Sequence, residues 1–279
     1  MGNLRFAAAI LVVAACGNDH AQNTVDAAVD SKMIDAKVWM DAPPTTYDFS
    51  CYQATPGTTV DATITVTGTA GEISQSGFAG VADVDVSAYL VGSNTAADTD
   101  TSVAGGDFTL GPITTGGDAV EYLKGLDGKT SPTYRTTFLY PPNPLRSTFD
   151  GLPVPMIEQS LVDTLGGFIG QQMDTNNGML FIAVNDCSTT MPAGIDGATV
   201  SVKQNGQDVG DEPFDLGIVA PQAAGTFLVL NVPDGATEVS ASYNGMTFPT
   251  HTVVAHKKPN GGGAMGTITA TAVPPGPIN

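Results

Sequence analysis

What most restricts the fold of this chain is a recurring two-residue period. Apolar side chains alternate with small polar ones over short runs, and the runs end at proline or glycine. Ile64, Val66 and Gly68 alternate with threonines, and Val84–Leu90 reads Val-Asp-Val-Ser-Ala-Tyr-Leu. Successive strand side chains point to opposite faces, so such runs are half-buried β-strands, and β-branched residues favour them. Residues 106–110, 119–123 and 134–140 supply further strands, while 91–105 reads as a polar loop. Pro112 and Gly116-Gly117 mark a turn, and Pro141, Pro142 and Pro144 close the block. This spacing predicts an antiparallel all-β domain over 47–150.

After Asn176-Asn177-Gly178 the pattern restarts. Strands are expected at 180–184, 198–202, 225–229, 239–243, 250–255 and 267–271, with Asn244-Gly245 as a hairpin turn. This predicts a second β domain over 178–273 and a short tail at 274–279. Between the blocks, in segment 151–177, the period changes. Ile157, Leu161, Val162, Leu165, Phe168 and Ile169 recur at intervals of three and four, one face of a helix over 153–170. Pro155 suits its first turn, Glu158 the positive N-terminal end, and Gly166-Gly167 weaken the far end. Its polar face carries Glu158 and Asp163 and no basic residue, which argues for packing rather than for lying on a membrane.

The N-terminus has a different character. Residues 1–5 carry one positive charge, and an apolar run over 6–16 ends in Val13-Ala14-Ala15-Cys16. The run is too short to span a bilayer, which takes roughly 20 residues, and it fits a secretory signal peptide. Phe6 stands where a myristoylation start wants Ser or Thr. Aliphatic-small-small-Cys resembles the lipobox of bacterial lipoproteins. The resemblance implies cleavage after residue 15, lipid attachment at Cys16, and an exported, membrane-anchored protein; Gly17 rather than Asp then favours the outer membrane. Residues 16–46 vary one tripeptide, aliphatic-Asp-small, at Asp26, Asp30, Asp35 and Asp41, and end at Pro43-Pro44. Such a stretch buries too little apolar area to fold and reads as a disordered tether, with Trp39 an exposed ring in it. With Cys16 lipidated, Cys51 and Cys187 remain as a pair in an oxidising compartment, and a disulfide between them is expected.

The two blocks share an order: an alternating strand, then Gly-x-Phe-x-aliphatic at 106–110 and 225–229, a Pro/Gly turn, and another alternating strand. Over 60–145 and 178–272 this resembles the carboxypeptidase regulatory-like domain, a transthyretin-like β-sandwich. The resemblance implies two such sandwiches joined by one helix, in a class that decorates secreted proteins as structural or binding modules. It carries over no active site: the His-x-x-Glu zinc pair of the carboxypeptidases begins at none of His20, His251 and His256.

Chemistry is sparse elsewhere. A formal charge of −18, from 28 acidic and 10 basic residues, excludes a nucleic-acid partner, which needs clustered Lys and Arg. Alternation puts His251 and His256 on opposite faces, against a shared metal. Gly261-Gly262-Gly263-Ala264-Met265-Gly266 matches a phosphate-loop spelling, yet a strand pattern rather than a helix follows, so it reads as a hairpin loop. Asp98, Asp100 and Asp107 are candidate calcium ligands without the spacing of an EF-hand loop. No catalytic residue, cofactor or metal is assigned. The sequence predicts a non-enzymatic lipoprotein of the envelope or surface, with the membrane and an envelope protein or carbohydrate as partners. The alternative is a secreted hydrolase whose loop-borne site carries no motif.

Overall fold

The computed structural model describes residues 46–74, 77–170, 173–174, 176–188, 192–218, 223–257 and 266–277. In order, the first part forms β1 (Thr63–Ser74), β2 (Gly77–Gly80), β3 (Val84–Leu90), β4 (Ala96–Thr101), β5 (Asp107–Thr114), β6 (Val120–Asp127), β7 (Thr136–Tyr140) and β8 (Phe149–Met156). Helix α1 (Gln159–Ile169) follows. Then come β9 (Gly178–Ala183), β10 (Thr199–Gln204), β11 (Gln207–Asp208), β12 (Phe214–Asp215), β13 (Thr226–Val232), β14 (Gly235–Tyr243), β15 (Met246–Thr247), β16 (His251–Ala255) and β17 (Thr267–Ala272). The protein is all-β with sandwiched sheets and one described α-helix.

The centre is an eight-stranded sheet in the order β12-β13-β9-β17-β7-β6-β3-β4. One face of its β3–β6–β7 end packs on a four-stranded sheet of β1, β2, β5 and β8, enclosing Val66, Leu110, Val86, Leu123 and Val154. Along β9, β13 and β17 the same face is covered by α1, through Ile157, Val162, Leu165, Met179, Leu228 and Ile268. The opposite face there packs on a five-stranded sheet of β10, β11, β14, β15 and β16, enclosing Ile182, Val229, Val202, Val239 and Val253. Alternation decides which residue goes where: Leu228 and Leu230 face the helix, while Phe227 and Val229 face the five-stranded sheet.

β17 joins the two parts of the sequence. It pairs in parallel with β7 on one side and with β9 on the other, and all six of its residues are buried. Its alternate threonines do a second job. Thr269 Oγ1 donates to the Val254 carbonyl at 2.8 Å, and Thr267 Oγ1 donates to the His256 carbonyl. These hydroxyls satisfy one carbonyl within β16 and one just after it, and stitch the five-stranded sheet to the eight-stranded one. The expected turn at Asn244-Gly245 forms, both residues having positive φ (47° and 80°), and Tyr243 pairs with Met246 across it.

Four local expectations are corrected. The stretch read as a polar loop contains β4, whose inward residues are Asp98 and Asp100 rather than apolar ones, so no hydrophobic alternation marks it. Pro112 lies inside β5, where the pairing shifts between Ile64 and Val66 and one extra residue is accommodated; a proline is tolerated at such a bulge. Helix α1 starts at Gln159, since Glu158 is still extended (φ −66°, ψ 145°). Pro155 belongs to β8, which runs parallel to β1, and its carbonyl accepts the Thr137 hydroxyl at 2.6 Å. A residue's N and C=O leave a strand on the same side, so the N–H that Pro155 lacks is not needed by β1.

Thr269 offers a clean test of the stitching. Thr269→Val keeps the shape and leaves the Val254 carbonyl buried without this donor, so urea denaturation should register a loss of about 1–3 kcal/mol. A loss below about 0.5 kcal/mol would show that the hydroxyl bond is not structural.

Candidate functional site

The most built-up polar and covalent arrangement lies where residues 46–54 meet the second part of the chain. Cys51 and Cys187 form a disulfide across 136 positions, with Cα atoms 5.5 Å apart. The Cys187 N–H donates to the Asp48 carbonyl (2.8 Å), and the Asp48 N–H donates to Asp186 Oδ2 (3.0 Å). Asp186 is itself buried, and its other oxygen accepts from Ala193 N–H (3.0 Å) and Ser188 N–H (3.2 Å). One carboxylate therefore fixes both a loop of the second part and the incoming chain.

Aromatic packing completes the junction. The Phe49 ring stacks on Tyr243 at 5.9 Å, and the Tyr47 ring meets Tyr243 edge-on at 5.6 Å. The Tyr47 hydroxyl accepts the Asp196 N–H at 2.9 Å. The C-terminal segment passes here too: a Cβ on Gly276 would collide with the Cys51 carbonyl. The sequence pairs the cysteines by elimination, but nothing in it announces that residues 46–54 dock on the second part, because Tyr47 and Phe49 stand outside any alternating run.

The three acidic residues weighed for calcium have structural partners. Asp98 Oδ2 accepts the Gly111 N–H (2.6 Å), Asp100 Oδ2 accepts the Thr109 N–H (2.7 Å), and Asp107 accepts the Thr69 hydroxyl (3.2 Å). The first two carboxylates reach from β4 to β5 and close the sandwich where no backbone ladder joins the two edges. Among the described residues, no group of three or more His, Cys, Asp and Glu is placed to hold a metal ion.

His251 and His256 have different partners. His251 hydrogen-bonds the Pro142 backbone, whereas His256 stacks on Phe138 at 3.7 Å. Burial holds both imidazoles below their ordinary value of 6.5. The rings of Phe138 and His256 adjoin an aromatic row on the eight-stranded sheet. Tyr89 stacks on Tyr122 at 4.6 Å, and Tyr122 on Tyr140 at 5.1 Å. Tyr89, Tyr122 and Phe138 are half-buried, and Lys124 sits 5.9 Å from the Phe138 ring centre. This side of β3 and β6 also bears Asp85, Ser87 and exposed Leu126, giving a mixed aromatic and polar surface.

Cys16, Trp39 and residues 261–265 lie outside the described residues. Gly266 is described and immediately precedes β17. No described helix is long and apolar enough to cross a membrane.

No protein-family model matches the sequence, and no curated protein matches it. Among solved structures, the Bacillus anthracis TIE protein is 12% identical over 76% of this chain and 34% of its own, with a TM-score of 0.24. A streptococcal ancillary pilin is 8% identical over 76% and 62%, at 0.23. The shaft pilin SpaA of Lactobacillus rhamnosus GG is 12% identical over 78% and 99%, at 0.25. This chain thus spans about a third of the first structure and less than two thirds of the second. Superposition this loose carries no inference about what the chain does.

Two outcomes are expected. Unfolded without reduction, the protein should titrate no thiol from Cys51 or Cys187. Replacing both with alanine should lower stability by up to about 5 kcal/mol, the chain-entropy value for a loop of 136. The histidines set an acid limit. Their folded pKa values lie below the unfolded value of 6.5, so the unfolded chain binds protons first as pH falls. Stability should be full above pH 6.5 and decline below it, until the folded imidazoles also protonate. Melting curves of His251→Gln and His256→Gln should flatten that decline, and equal slopes in variants and wild type would exclude the histidines as its source.

Proposed function

We propose that this protein is an exported, lipid-anchored and non-enzymatic module of the cell envelope or cell surface, structural or ligand-binding in role. The observation that carries the reading is the Cys51–Cys187 disulfide beside the docked segment 46–54. A disulfide of this kind persists in oxidising compartments, which favours export. Its position favours a mechanical role. A pull arriving along a tether of residues 16–46 would enter at Tyr47–Cys51 and pass through a covalent bond into the second part. A load that leaves through the second part would bypass the 135 residues between the two cysteines until that bond broke. The lipobox resemblance supplies the anchor at Cys16, and the carboxypeptidase regulatory-like resemblance supplies the habit of a non-catalytic appendage.

For the ligand-binding role, the surface we favour is the half-buried row of Tyr89, Tyr122 and Phe138 with Lys124, Asp85 and Ser87 around it. Aromatic rings amid hydroxyls, a cation and a carboxylate suit an envelope carbohydrate, whose own surface alternates apolar C–H faces and hydroxyls. An outer-membrane or surface position accords with such a partner.

The anchor is tested directly. Cys16→Ser should abolish incorporation of labelled fatty acid, leave the leader uncleaved, and shift the protein from the detergent phase to the aqueous phase. Unchanged detergent partitioning in that variant would overturn the assignment.

A further inference from the structure

We propose that residues 47–52 form a disulfide-closed latch over the C-terminal segment 273–276, and that this latch keeps the end of β17 in the central sheet. Cys187 follows closely on β9, with which β17 pairs up to Ala183, so the bond sits where β17 leaves the sheet. There the Val273 N–H donates to the Ala183 carbonyl at 2.8 Å. Two prolines follow, and neither has an N–H with which to extend the ladder. Pro274, Pro275 and Gly276 are nevertheless buried. With no donor at two successive positions, this segment is held by what covers it.

The cover comes from the docked strap. A side chain at Gly276 would run into the Cys51 carbonyl, so the two backbones meet with nothing between them. Tyr47 and Phe49 pack on the apolar cluster that contains Val273. The strap is fastened to the second part at both ends. At one, the Tyr47 hydroxyl accepts the Asp196 N–H and the Asp48 carbonyl accepts the Cys187 N–H. At the other stands the disulfide. Residues 53–59 beyond it are exposed, so on that side the fastening falls to the covalent bond.

This fastening is the one that redox chemistry can open. Two electrons and two protons convert the disulfide to two thiols, and a dithiol supplies both as it closes into a disulfide of its own. The turn at Cys51 is then free to lift from Gly276, and β17 frays from its C-terminal end. Loss of loop entropy alone would act differently, because it weakens the whole fold evenly. A latch exposes one strand end while the rest of each sheet stays closed.

The test is amide hydrogen exchange of the full chain at pH 7, followed strand by strand by NMR before and after reduction with a phosphine. The phosphine takes up the oxygen of one water molecule as the two thiols form. Amides of 270–273 should then exchange at least about tenfold faster, while those of β3, β6 and β14 change by less than about twofold. Gly276→Ala drives a Cβ into the Cys51 carbonyl with the bond intact, and should reproduce the same local loss. Should the phosphine fail to reach the bond, the double variant Cys51→Ser, Cys187→Ser takes the place of reduction. Unchanged exchange at 270–273, an equal acceleration in every strand, or full protection in Gly276→Ala would each overturn the proposal.

Discussion

Every layer of this molecule depends on the burial of β17. Its backbone is paired on both edges and covered on both faces, so each donor and acceptor along Thr267–Ala272 needs a protein partner. The sequence Thr-Ile-Thr-Ala-Thr-Ala answers the two faces differently. Ile268 enters the cluster beneath α1, and Thr267 and Thr269 bond carbonyls near and within β16. A strand with large apolar residues on both faces would leave those carbonyls without partners. A strand with hydroxyls on both would leave α1 nothing to pack on.

Much of the fold can be read from alternation and much cannot. Strands β3, β9, β10, β13, β14, β16 and β17 coincide with runs that alternate or are continuously apolar, because burial on one or both faces writes itself directly into residue type. α1 is legible from its three-and-four spacing, but its start is not, because Pro155 fits a first helical turn and an unpaired strand edge equally well. β4 is hidden because its inward positions hold carboxylates that bond backbone N–H groups. The pairing of β17 with β7 is out of reach for any local pattern, since 131 positions separate Thr136 from Thr267 in the register. The candidate site divides in the same way. The cysteine pair follows from counting, whereas the docking of Tyr47 and Phe49 and the approach of Gly276 to Cys51 depend on which surfaces meet.

The acidic composition also reads differently once the fold is known. Asp186 ties three backbone N–H groups at the junction, and buried Asp127 accepts from Lys129, Thr133 and Tyr134 to order a loop. Asp98 and Asp100 bridge the sandwich edge. These aspartates substitute for backbone carbonyls where strands cannot run side by side. Part of the negative charge that a sequence reader would assign to solubility is internal scaffolding.

The place of β17 in the chain has a consequence in time. Strands β7 and β9 are synthesised well before the strand that lies between them, and until it arrives the large sheet consists of two pieces with raw edges. Neither piece can finish early, because each lacks the same neighbour. A chain delivered from its N-terminus therefore stays open until Thr267–Ala272 emerges, and then closes over long sequence distances, the kind of closure that is intrinsically slow. Exposed edges during that interval invite pairing with other chains. For such a protein, holding the half-made sheet apart from its copies is the hazard to be managed.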